Sequence, residues 1–302
     1  MGSSEEQEAR VVTTFGRRFE LATAPGERLP ARIKGRRLRP VCGDRVVARP
    51  PATDSEPEWL ITSIQPRQNE LTRPDLRGRT EILAANVSLL VIVAAARPDP
   101  DWFIVDRYLS AAELMDAKAV VVFNKNDLGD TDRENPVLDD YRALGYPVLM
   151  TSAATGDGIE PLRDLLKSET AIFVGQSGVG KSSLINGMIA ELDLRTGEVS
   201  EKSGEGRHTT VNSALIDLPE GGAVIDSPGV RDYAPAIADI ERVPSGFREI
   251  VEYAAGCRYA NCRHLREPDC AVKQAAEAGT IAQRRYDSYK RLVHLTEGLQ
   301  RR

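Results

Sequence analysis

Short stretches of apolar and β-branched residues, separated by turn residues, fill the first 70 residues of the chain. Stretches of this kind predict β-strands. Five occur, at Val11–Phe15, Phe19–Thr23, Ala31–Ile33, Arg45–Ala48 and Trp59–Ile64. The turn Gly16–Arg18 between the first two predicts a hairpin. Five short strands with few helix signals are typical of an OB-type β-barrel, a fold that often binds oligonucleotides.

From about residue 80 the apolar stretches alternate with helix-like segments. Strands are predicted at Val87–Ala96, Ala119–Phe123, Pro147–Met150, Ala171–Val174, Ala214–Ile216 and Ala223–Ile225, and helices at Asp101–Ala117, at Ile159–Leu166 and from Lys181. This alternation predicts an α/β domain with a mainly parallel, doubly wound sheet. After Pro235 the pattern is helical and basic. The sequence therefore predicts a barrel in residues 1–75, an α/β domain in residues 76–235 and a helical domain in residues 236–302.

Composition places the chain among soluble globular proteins. Hydrophobic residues make up 41% and charged residues 28% of the 302 residues, which is ordinary for that class. The longest apolar run, Leu89–Ala96, is far shorter than the roughly 20 residues needed to span a bilayer. The polar segment Met1–Arg10 is unlike a signal peptide and predicts a disordered lead-in. With four cysteines, we expect a cytoplasmic protein without disulfides.

Charge is distributed unevenly along the chain. The net charge is −5 overall, but +2 in residues 1–75, −10 in residues 76–235 and +3 in residues 236–302. The most basic segment, Arg28–Arg49, has eight Arg and Lys residues and one acidic residue. Basic ends around an acidic middle predict contacts of the ends with an anionic polymer such as RNA. A solubilising surface is the alternative, and charge alone does not decide between them.

A glycine-rich segment lies between a predicted strand and a predicted helix. Residues Gly175–Ser182 match the pattern G-x-x-x-x-G-K-[ST] in full. Glycines let backbone N–H groups approach phosphates, and the helix N-terminus adds a positive dipole. Lys181 supplies a charge at the β- and γ-phosphates, and the Ser182 hydroxyl can bind Mg²⁺. Because both flanking elements fit, we interpret the segment as a phosphate-binding loop rather than a chance turn.

A second phosphate-site pattern, D-x-x-G, occurs at Asp226–Gly229, directly after a predicted strand. An Asp at such a strand end can hold Mg²⁺, usually through water. The N–H of Gly229 can contact the γ-phosphate. The pattern is common by itself, but downstream of the phosphate-binding loop it predicts the magnesium side of the same site.

The segment Asn124–Asp127 matches the N-K-x-D pattern and also follows a predicted strand. The carboxylate of Asp127 can accept hydrogen bonds from N1–H and the 2-amino group of guanine, and adenine has neither donor there. The Asn124 amide can bond the base edge or the neighbouring loop, and the Lys125 stem can cover the base. The following Ser152–Ala153 matches the loop that closes over guanine. Together these residues predict GTP rather than ATP.

The order of these motifs along the chain is rotated. In a Ras-like chain the phosphate-binding loop comes first, whereas here Asn124–Asp127 and Ser152–Ala153 precede Gly175–Ser182. Circular permutation keeps every contact and moves only the termini. As a consequence, the segment after Asp226 leads directly into the C-terminal domain, where the nucleotide state can act on it.

The first nucleotide switch is expected between the phosphate-binding loop and Asp226, at Gly206–Thr210. A threonine there completes the Mg²⁺ shell, and Thr210 is favoured over Thr209. Val230 stands where Ras-like enzymes have the glutamine that orients the attacking water. His208 is the nearest group able to position water, although it could equally be an ordinary loop residue.

A cysteine and histidine cluster lies in the C-terminal segment. Cys257, Cys262, His264 and Cys270 give the spacing C-x4-C-x-H-x5-C. Three cysteines and a histidine form a structural zinc set, and a disulfide is disfavoured in a reducing compartment. The remaining Cys42 is expected to pack as a small apolar residue. Nearby basic residues suit contact with phosphates, namely Arg258, Arg263, Arg266, Arg284, Arg285, Lys290 and Arg291.

Taken together, these features resemble the RsgA/YjeQ family of circularly permuted GTPases, the ribosome small-subunit-dependent GTPases A. The resemblance covers about residues 10 to 295 and rests on the rotated motifs, the barrel and the Cys₃His set. It implies late maturation of the small ribosomal subunit, GTP hydrolysis stimulated by that subunit, binding to its rRNA, and one structural zinc. A hydrophobic residue at Val230 and a switch histidine at His208 fit the family pattern. We further expect a monomer that binds no membrane.

The expected site residues follow from the motifs. Nucleotide contacts are expected from Asn124, Lys125, Asp127, Ser152, Ala153, Gly175, Gln176, Ser177, Gly178, Val179, Gly180, Lys181, Ser182, Ser183, Asp226 and Gly229. Magnesium ligands are expected at Ser182, Thr210 and Asp226, and catalytic groups at His208, Lys181 and Thr210. Two alternatives stay open: an RNA-binding scaffold that GTP switches without turnover, and a GTPase acting on another RNA target.

Overall fold

A closed β-barrel forms the N-terminal part of the protein. The computed structural model describes residues 6–35, 37–51, 57–74, 80–128, 135–196, 213–226, 237 and 239–300. All five predicted strands are present, as β1 (Gln7–Phe15), β2 (Arg18–Ala22), β3 (Leu29–Ile33), β4 (Arg45–Arg49) and β5 (Trp59–Ile64). They pair in the order β1-β2-β3-β5-β4, and β4 pairs with β1 to close the barrel. Its interior contains Val11, Phe19, Leu21, Val46 and Ile61.

The start of β1 corrects the expected disordered lead-in. Residues Gln7–Arg10 belong to the strand and pair antiparallel with β4, in a register from Gln7↔Ala48 to Arg10↔Arg45. Ala9 is buried in the barrel, whereas the neighbouring Glu8 is exposed. A polar segment can form a strand because only alternate residues need to face the core.

An α/β domain follows the barrel, after the hairpin of β6 (Glu70–Pro74) and β7 (Thr80–Ala85). Its further strands are β8 (Leu89–Ala95), β9 (Lys118–Asn124), β10 (Val148–Met150), β11 (Thr170–Val174), β12 (Ser213–Asp217) and β13 (Ala223–Asp226). Its helices are α1 (Trp102–Leu114), α2 (Pro136–Ala143), α3 (Ile159–Leu166) and α4 (Lys181–Thr196). The order β10-β9-β8-β11-β13 is parallel throughout, and β12 runs antiparallel to β13. Apolar cores lie on both faces, so the predicted doubly wound sheet is confirmed.

The barrel and the α/β domain share one sheet. Strand β12 pairs antiparallel with β1, with Thr13 opposite Ala214 and Thr14 opposite Ser213, and this pairing joins eleven strands. The side chain of Arg10 extends the junction, because its Nη2 donates to Thr170 Oγ1 over 2.7 Å. The strand that follows the expected first switch is therefore hydrogen-bonded directly to the barrel.

The C-terminal part is helical, as predicted. It contains a 3-10 helix, Ile240–Gly246, then α5 (Arg248–Ala254), α6 (Ala271–Glu277) and α7 (Gln283–Gln300). These elements enclose a separate core that includes Val243, Phe247, Ile250, Tyr289 and Val293. Among the described helices, none is long and apolar enough to cross a membrane. The boundaries after residues 75 and 235 stay predictions.

Candidate nucleotide and metal sites

The sequence motifs meet at one edge of the sheet. Strands β8, β9, β11 and β13 run parallel, so their carboxyl ends lie side by side. Asn124 ends β9, the glycine-rich loop follows β11, and Asp226 ends β13. This edge is where open α/β sheets bind ligands.

The phosphate-binding loop turns tightly against β8. Gly175 has φ +136°, and a Cβ there would lie 2.1 Å from the carbonyl oxygen of Val93, so only glycine fits. Lys181 begins α4 and is 6% exposed. Its Nζ donates to the carbonyl oxygens of Gly175 and Gln176, each over 2.7 Å. The ammonium group thus lies inside the curve of the loop, where a bound phosphate would meet it.

Asn124 holds the base motif, residues Asn124–Asp127, against the phosphate-binding loop. Its Nδ2 donates to the carbonyl oxygen of Val179 over 2.9 Å. Its Oδ1 accepts from Thr151 Oγ1 and from the Ala153 N–H, both at 3.2 Å. With 1% exposure, the side chain is fully used in joining three loops. Of the two sequence-based alternatives for Asn124, the described contacts match the neighbouring loop.

Gly180 makes this arrangement possible. Its φ of +97° is in the left-handed region, and a Cβ there would lie 2.3 Å from Asn124 Nδ2. The Asn124 amide cannot move away without losing its three hydrogen bonds. Glycine is therefore required at position 180 for two reasons: it leaves room for the Asn124 amide, and it lets backbone N–H groups approach the phosphates.

Lys125 and Asp127 are also held in place by neighbouring loops. Lys125 has φ +65°, and its Nζ donates to the carbonyl oxygens of Arg97 and Gly178, each over 2.7 Å. Ser152 Oγ donates to Asp127 Oδ1 over 2.5 Å and accepts from the N–H of Thr155. The Asp127 carboxylate is exposed, and the Ser152 hydroxyl orients it through Oδ1. Each carboxylate oxygen has two lone pairs, so both can still accept from a ligand.

Several of the expected nucleotide and magnesium contacts belong to segments outside the described part of the chain. Gly229 of the D-x-x-G pattern, Val230, and the switch residues His208, Thr209 and Thr210 lie outside the described residues. Asp226 is described and lies opposite Ala214 in the β12–β13 pair. Ser182 and Ser183 lie in the first turn of α4.

The Cys₃His cluster has the dimensions of a tetrahedral zinc site. Nδ1 of His264 lies 3.5 Å from the sulfur atoms of both Cys257 and Cys270, which are 3.8 Å apart. With Cys262, all four ligand atoms lie within 4.8 Å of one another. Zn–S bonds of about 2.3 Å and Zn–N bonds of about 2.0 Å at tetrahedral angles separate ligand atoms by about 3.5 to 3.8 Å. The donor set and its spacing therefore fit zinc.

The loop that carries these ligands is fixed by hydrogen bonds. The carboxylate of Glu267 accepts from the N–H groups of Arg263, Leu265 and Arg266. The hydroxyl of Tyr286 donates to the carbonyl oxygen of His264 over 2.7 Å. Burial lowers the pKa of His264 and favours the neutral imidazole, which is the form that binds metals.

One of the basic residues proposed to contact phosphates, Arg285, is buried in ion pairs, and the neighbouring Arg284 is half-buried. Arg285 is 1% exposed. It forms ion pairs with Asp106 over 2.9 Å and with Glu249 over 2.6 Å, and Arg284 pairs with Asp106 over 2.7 Å. The prediction is wrong for Arg285 because its acidic partners, on α1 and α5, are distant in sequence, and for Arg284 it stays a prediction. Arg266 is exposed and remains available.

The barrel brings its basic loops together at one end. Arg17 Nη2 donates to the carbonyl oxygen of Gly35 over 2.6 Å, which joins the β1–β2 turn to the loop after β3. Arg17, Arg18, Lys34 and Arg37 are all exposed there. Cys42 is completely buried among apolar groups, as expected, and burial raises its pKa to about 12.

One contributor to the site was missed in the sequence. The loop from Arg97 to Asp101 contacts the base motif through Lys125 and the phosphate-binding loop through Gln176, whose Oε1 accepts from the Asp101 N–H over 3.1 Å. The signal was the Pro98–Asp101 turn, which ends in an Asp that caps α1.

Comparisons with known proteins identify related sequences and folds. Residues 64–235 match the family model described as RsgA GTPase. The small ribosomal subunit biogenesis GTPase RsgA of Haemophilus influenzae strain PittGG is 40% identical over 293 residues, which are 96% of this chain and 85% of that protein. The protein of the same name from Alcanivorax borkumensis is 42% identical over 295 residues, 94% of this chain and 83% of that one.

Two solved structures share the whole architecture. The crystal structure of YjeQ from Thermotoga maritima has a TM-score of 0.76 at 30% identity, covering 97% of this chain and 99% of that one. YloQ, described as a circularly permuted GTPase, has a TM-score of 0.70 at 27% identity, covering 97% and 96%.

Proposed function

Because the chain belongs to the RsgA GTPase family, we propose that it hydrolyses GTP to GDP and acts in the biogenesis of the small ribosomal subunit. One observation carries the nucleotide part of the proposal. The buried Asn124 links the base motif to the phosphate-binding loop through Val179 and to the Thr151–Ala153 loop. Three motifs that are separated and rotated along the chain thus form one continuous site.

Guanine is recognised by Asp127, whose carboxylate is oriented by Ser152 for the N1–H and 2-amino donors of the base. Lys125 covers the base with its stem. The loop Gly175–Ser182 surrounds the phosphates with backbone N–H groups, and Lys181 neutralises the developing charge. The remaining contacts are the ones expected from the sequence motifs, up to Gly229, whereas Asn124 acts by joining the loops around the base.

A magnesium ion bound with GTP would lower the charge of the β- and γ-phosphates. Ser182, Asp226 and Thr210 would hold it, Asp226 through water. Val230 cannot orient the attacking water, so His208 takes this role. Hydrolysis without a partner is therefore slow, and contact with the small ribosomal subunit accelerates it.

A single zinc ion bound by Cys257, Cys262, His264 and Cys270 stabilises the C-terminal domain. Four protein ligands leave no open position, so this zinc is structural and takes no part in hydrolysis. The cluster geometry and the hydrogen-bonded loop around it support this assignment.

Contacts with rRNA come from the basic end of the barrel and from exposed basic residues of the zinc-binding segment. Supporting observations are the convergence of the β1–β2 turn with the loop after β3 and the exposure of their cations. The protein acts as a cytoplasmic monomer and leaves the subunit after hydrolysis.

A second candidate is an RNA-binding scaffold whose affinity GTP sets without turnover, and Val230 is the observation in its favour. Multiple-turnover phosphate release separates the two. The purified protein should release many phosphates per molecule from GTP but not from ATP, and Lys181→Ala should release none. A single phosphate per molecule would favour the scaffold, and equal use of ATP would reject the guanine assignment.

A further inference from the structure

Helix α1 lies between the α/β sheet and the C-terminal helices. One of its faces packs into the core on the sheet, through Val105, Tyr108, Leu109 and Ala112. A second stripe faces the C-terminal segment, through Phe103, Asp106, Ser110 and Glu113. Spacings of three and four residues place this stripe on one side of the helix.

The stripe is tightly packed along its length. The guanidinium of Arg291 on α7 lies 3.9 Å from the ring centroid of Phe103. Near the other end, a Cβ on Gly246 would lie 2.0 Å from Ser110 Oγ, so the 3-10 helix approaches α1 at backbone distance. Helix α1 therefore cannot shift without moving the C-terminal helices.

A buried ionic network is at the centre of this contact. The carboxylate of Asp106 is fully buried and accepts from Arg284, Arg285 and Tyr141 over 2.7, 2.9 and 2.7 Å. Arg285 also forms a bidentate pair with Glu249, over 2.6 and 3.1 Å. Burial acts against the charge of Asp106, but the two arginines, together with hydrogen bonds from Ser288 and Tyr141, lower its pKa. Such a network fixes geometry, because an unpaired buried charge is strongly unfavourable.

The N-terminal end of α1 reaches the nucleotide site. Asp101 caps the helix by accepting from the Phe103 N–H over 3.0 Å. Its own N–H donates to Oε1 of Gln176 in the phosphate-binding loop over 3.1 Å. Just before it, the carbonyl oxygen of Arg97 accepts from Lys125 of the base motif. Through Arg97 and Asp101, the segment leading into α1 therefore connects the ionic network around Asp106 to the base motif and to the phosphate-binding loop.

We propose that Asp106 and Gln176 are positioning residues that act through the N-terminal half of α1, Asp106 from its second turn and Gln176 at its cap. Asp106 fixes the helix to α7, and Gln176 fixes the phosphate-binding loop to the helix cap. The position of the C-terminal domain and nucleotide affinity are then coupled, and by linkage each influences the other. This inference rests on the proposed function, and it adds a route from the C-terminal helices to the nucleotide site that passes neither through Gly206–Thr210 nor through the segment after Asp226.

The test is a double-mutant cycle on GDP affinity with the full-length zinc-loaded protein. Asp106→Asn should weaken GDP binding about tenfold, a typical size for coupling between sites. Gln176→Met keeps the side-chain length but removes the acceptor, and in that background Asp106→Asn should have no further effect. For Asp106→Asn alone, the turnover rate at saturating GTP should stay unchanged while KM rises. Asp139→Asn, which breaks an exposed pair with Arg142 on α2, is the matched control and should change neither.

Two outcomes would overturn the inference. One is wild-type affinity in Asp106→Asn, and the other is an equal loss with and without Gln176→Met. If Asp106→Asn does not fold, Tyr141→Phe removes a neutral partner of the same carboxylate, and it should show a smaller loss with the same dependence on Gln176. Failure of the unaltered protein to bind GDP would instead reject the proposed function.

Discussion

The side-chain amide of Asn124 donates to the carbonyl oxygen of Val179 over 2.9 Å and so joins the base motif to the phosphate-binding loop. These two residues are 55 positions apart, in an order reversed relative to Ras-like chains. The hydrogen bond depends on where the two loops lie in space and not on the order of the strands along the chain. It explains how a permuted chain retains one nucleotide site.

Gly180→Ala should disrupt this hydrogen bond between Asn124 and Val179. The added Cβ would meet Asn124 Nδ2, and the left-handed φ adds strain of about 1 to 3 kcal/mol. We expect the free energy of unfolding to fall by about 1 to 3 kcal/mol and GDP binding to weaken, because Asn124 no longer fixes the phosphate-binding loop. Thermal unfolding with and without GDP measures both effects. Gly187→Ala in α4, where a Cβ meets open space, is the control and should be neutral or stabilising. Equal behaviour of the two variants would contradict the argument.

Asp127→Asn should change base preference from guanine to xanthine. The substituted amide can donate to the 2-oxo group of xanthine, whereas the carboxylate accepts from the 2-amino group of guanine. We expect GTP affinity to fall by about one to two orders of magnitude, because the bound guanine loses an acceptor for its N–H donors at a cost of about 1 to 3 kcal/mol, while XTP affinity rises. Competition binding with both nucleotides measures this. Asp157→Asn in the neighbouring loop should leave the preference for GTP intact, and a preference unmoved by Asp127→Asn would remove Asp127 from the base site.

The sequence predicted elements well wherever the determinants are local. The motif strands, the glycine-rich turn and the Cys₃His spacing each depend on residues within a few positions of one another. The five barrel strands appear within a few residues of their predicted bounds.

What the sequence did not predict depends on pairing over long distances. The β1–β12 pair joins residues about 200 positions apart, and no periodicity encodes such a register. Arg285 looks like a phosphate contact until Asp106 and Glu249 are seen beside it. A charge count cannot identify which cations already have buried partners.

Cys270→Ser should remove zinc and destabilise the C-terminal domain. Its sulfur is one of the four clustered donors, and structural zinc contributes directly to folding free energy. We expect zinc content to fall from one ion per chain to near zero, with loss of the helical signal of the C-terminal segment. Cys42→Ser, which changes a buried thiol outside the cluster, should retain the metal. Full zinc content in Cys270→Ser would show that the cluster is not the metal site.

Binding to rRNA should depend steeply on salt if the basic end of the barrel contacts phosphates. Replacing Arg17, Arg18 and Lys34 with Ala should weaken binding and reduce the slope of log affinity against log salt by about 0.7 to 0.9 per lost contact. Filter binding over a salt series measures both. Lys167→Ala, which removes a cation paired with Asp164 on α3, should leave the slope unchanged. An unchanged slope in the triple variant would place the RNA contact elsewhere.

Phosphate release from GTP, measured with and without purified small ribosomal subunits, tests the central claim most directly. Without a helping group, intrinsic turnover should be roughly 10⁻⁴ to 10⁻² per second. The account predicts that subunits raise the rate many-fold for the wild-type protein and leave Lys181→Ala at background. A slow rate that subunits do not change would contradict the assignment of the small subunit as activating partner.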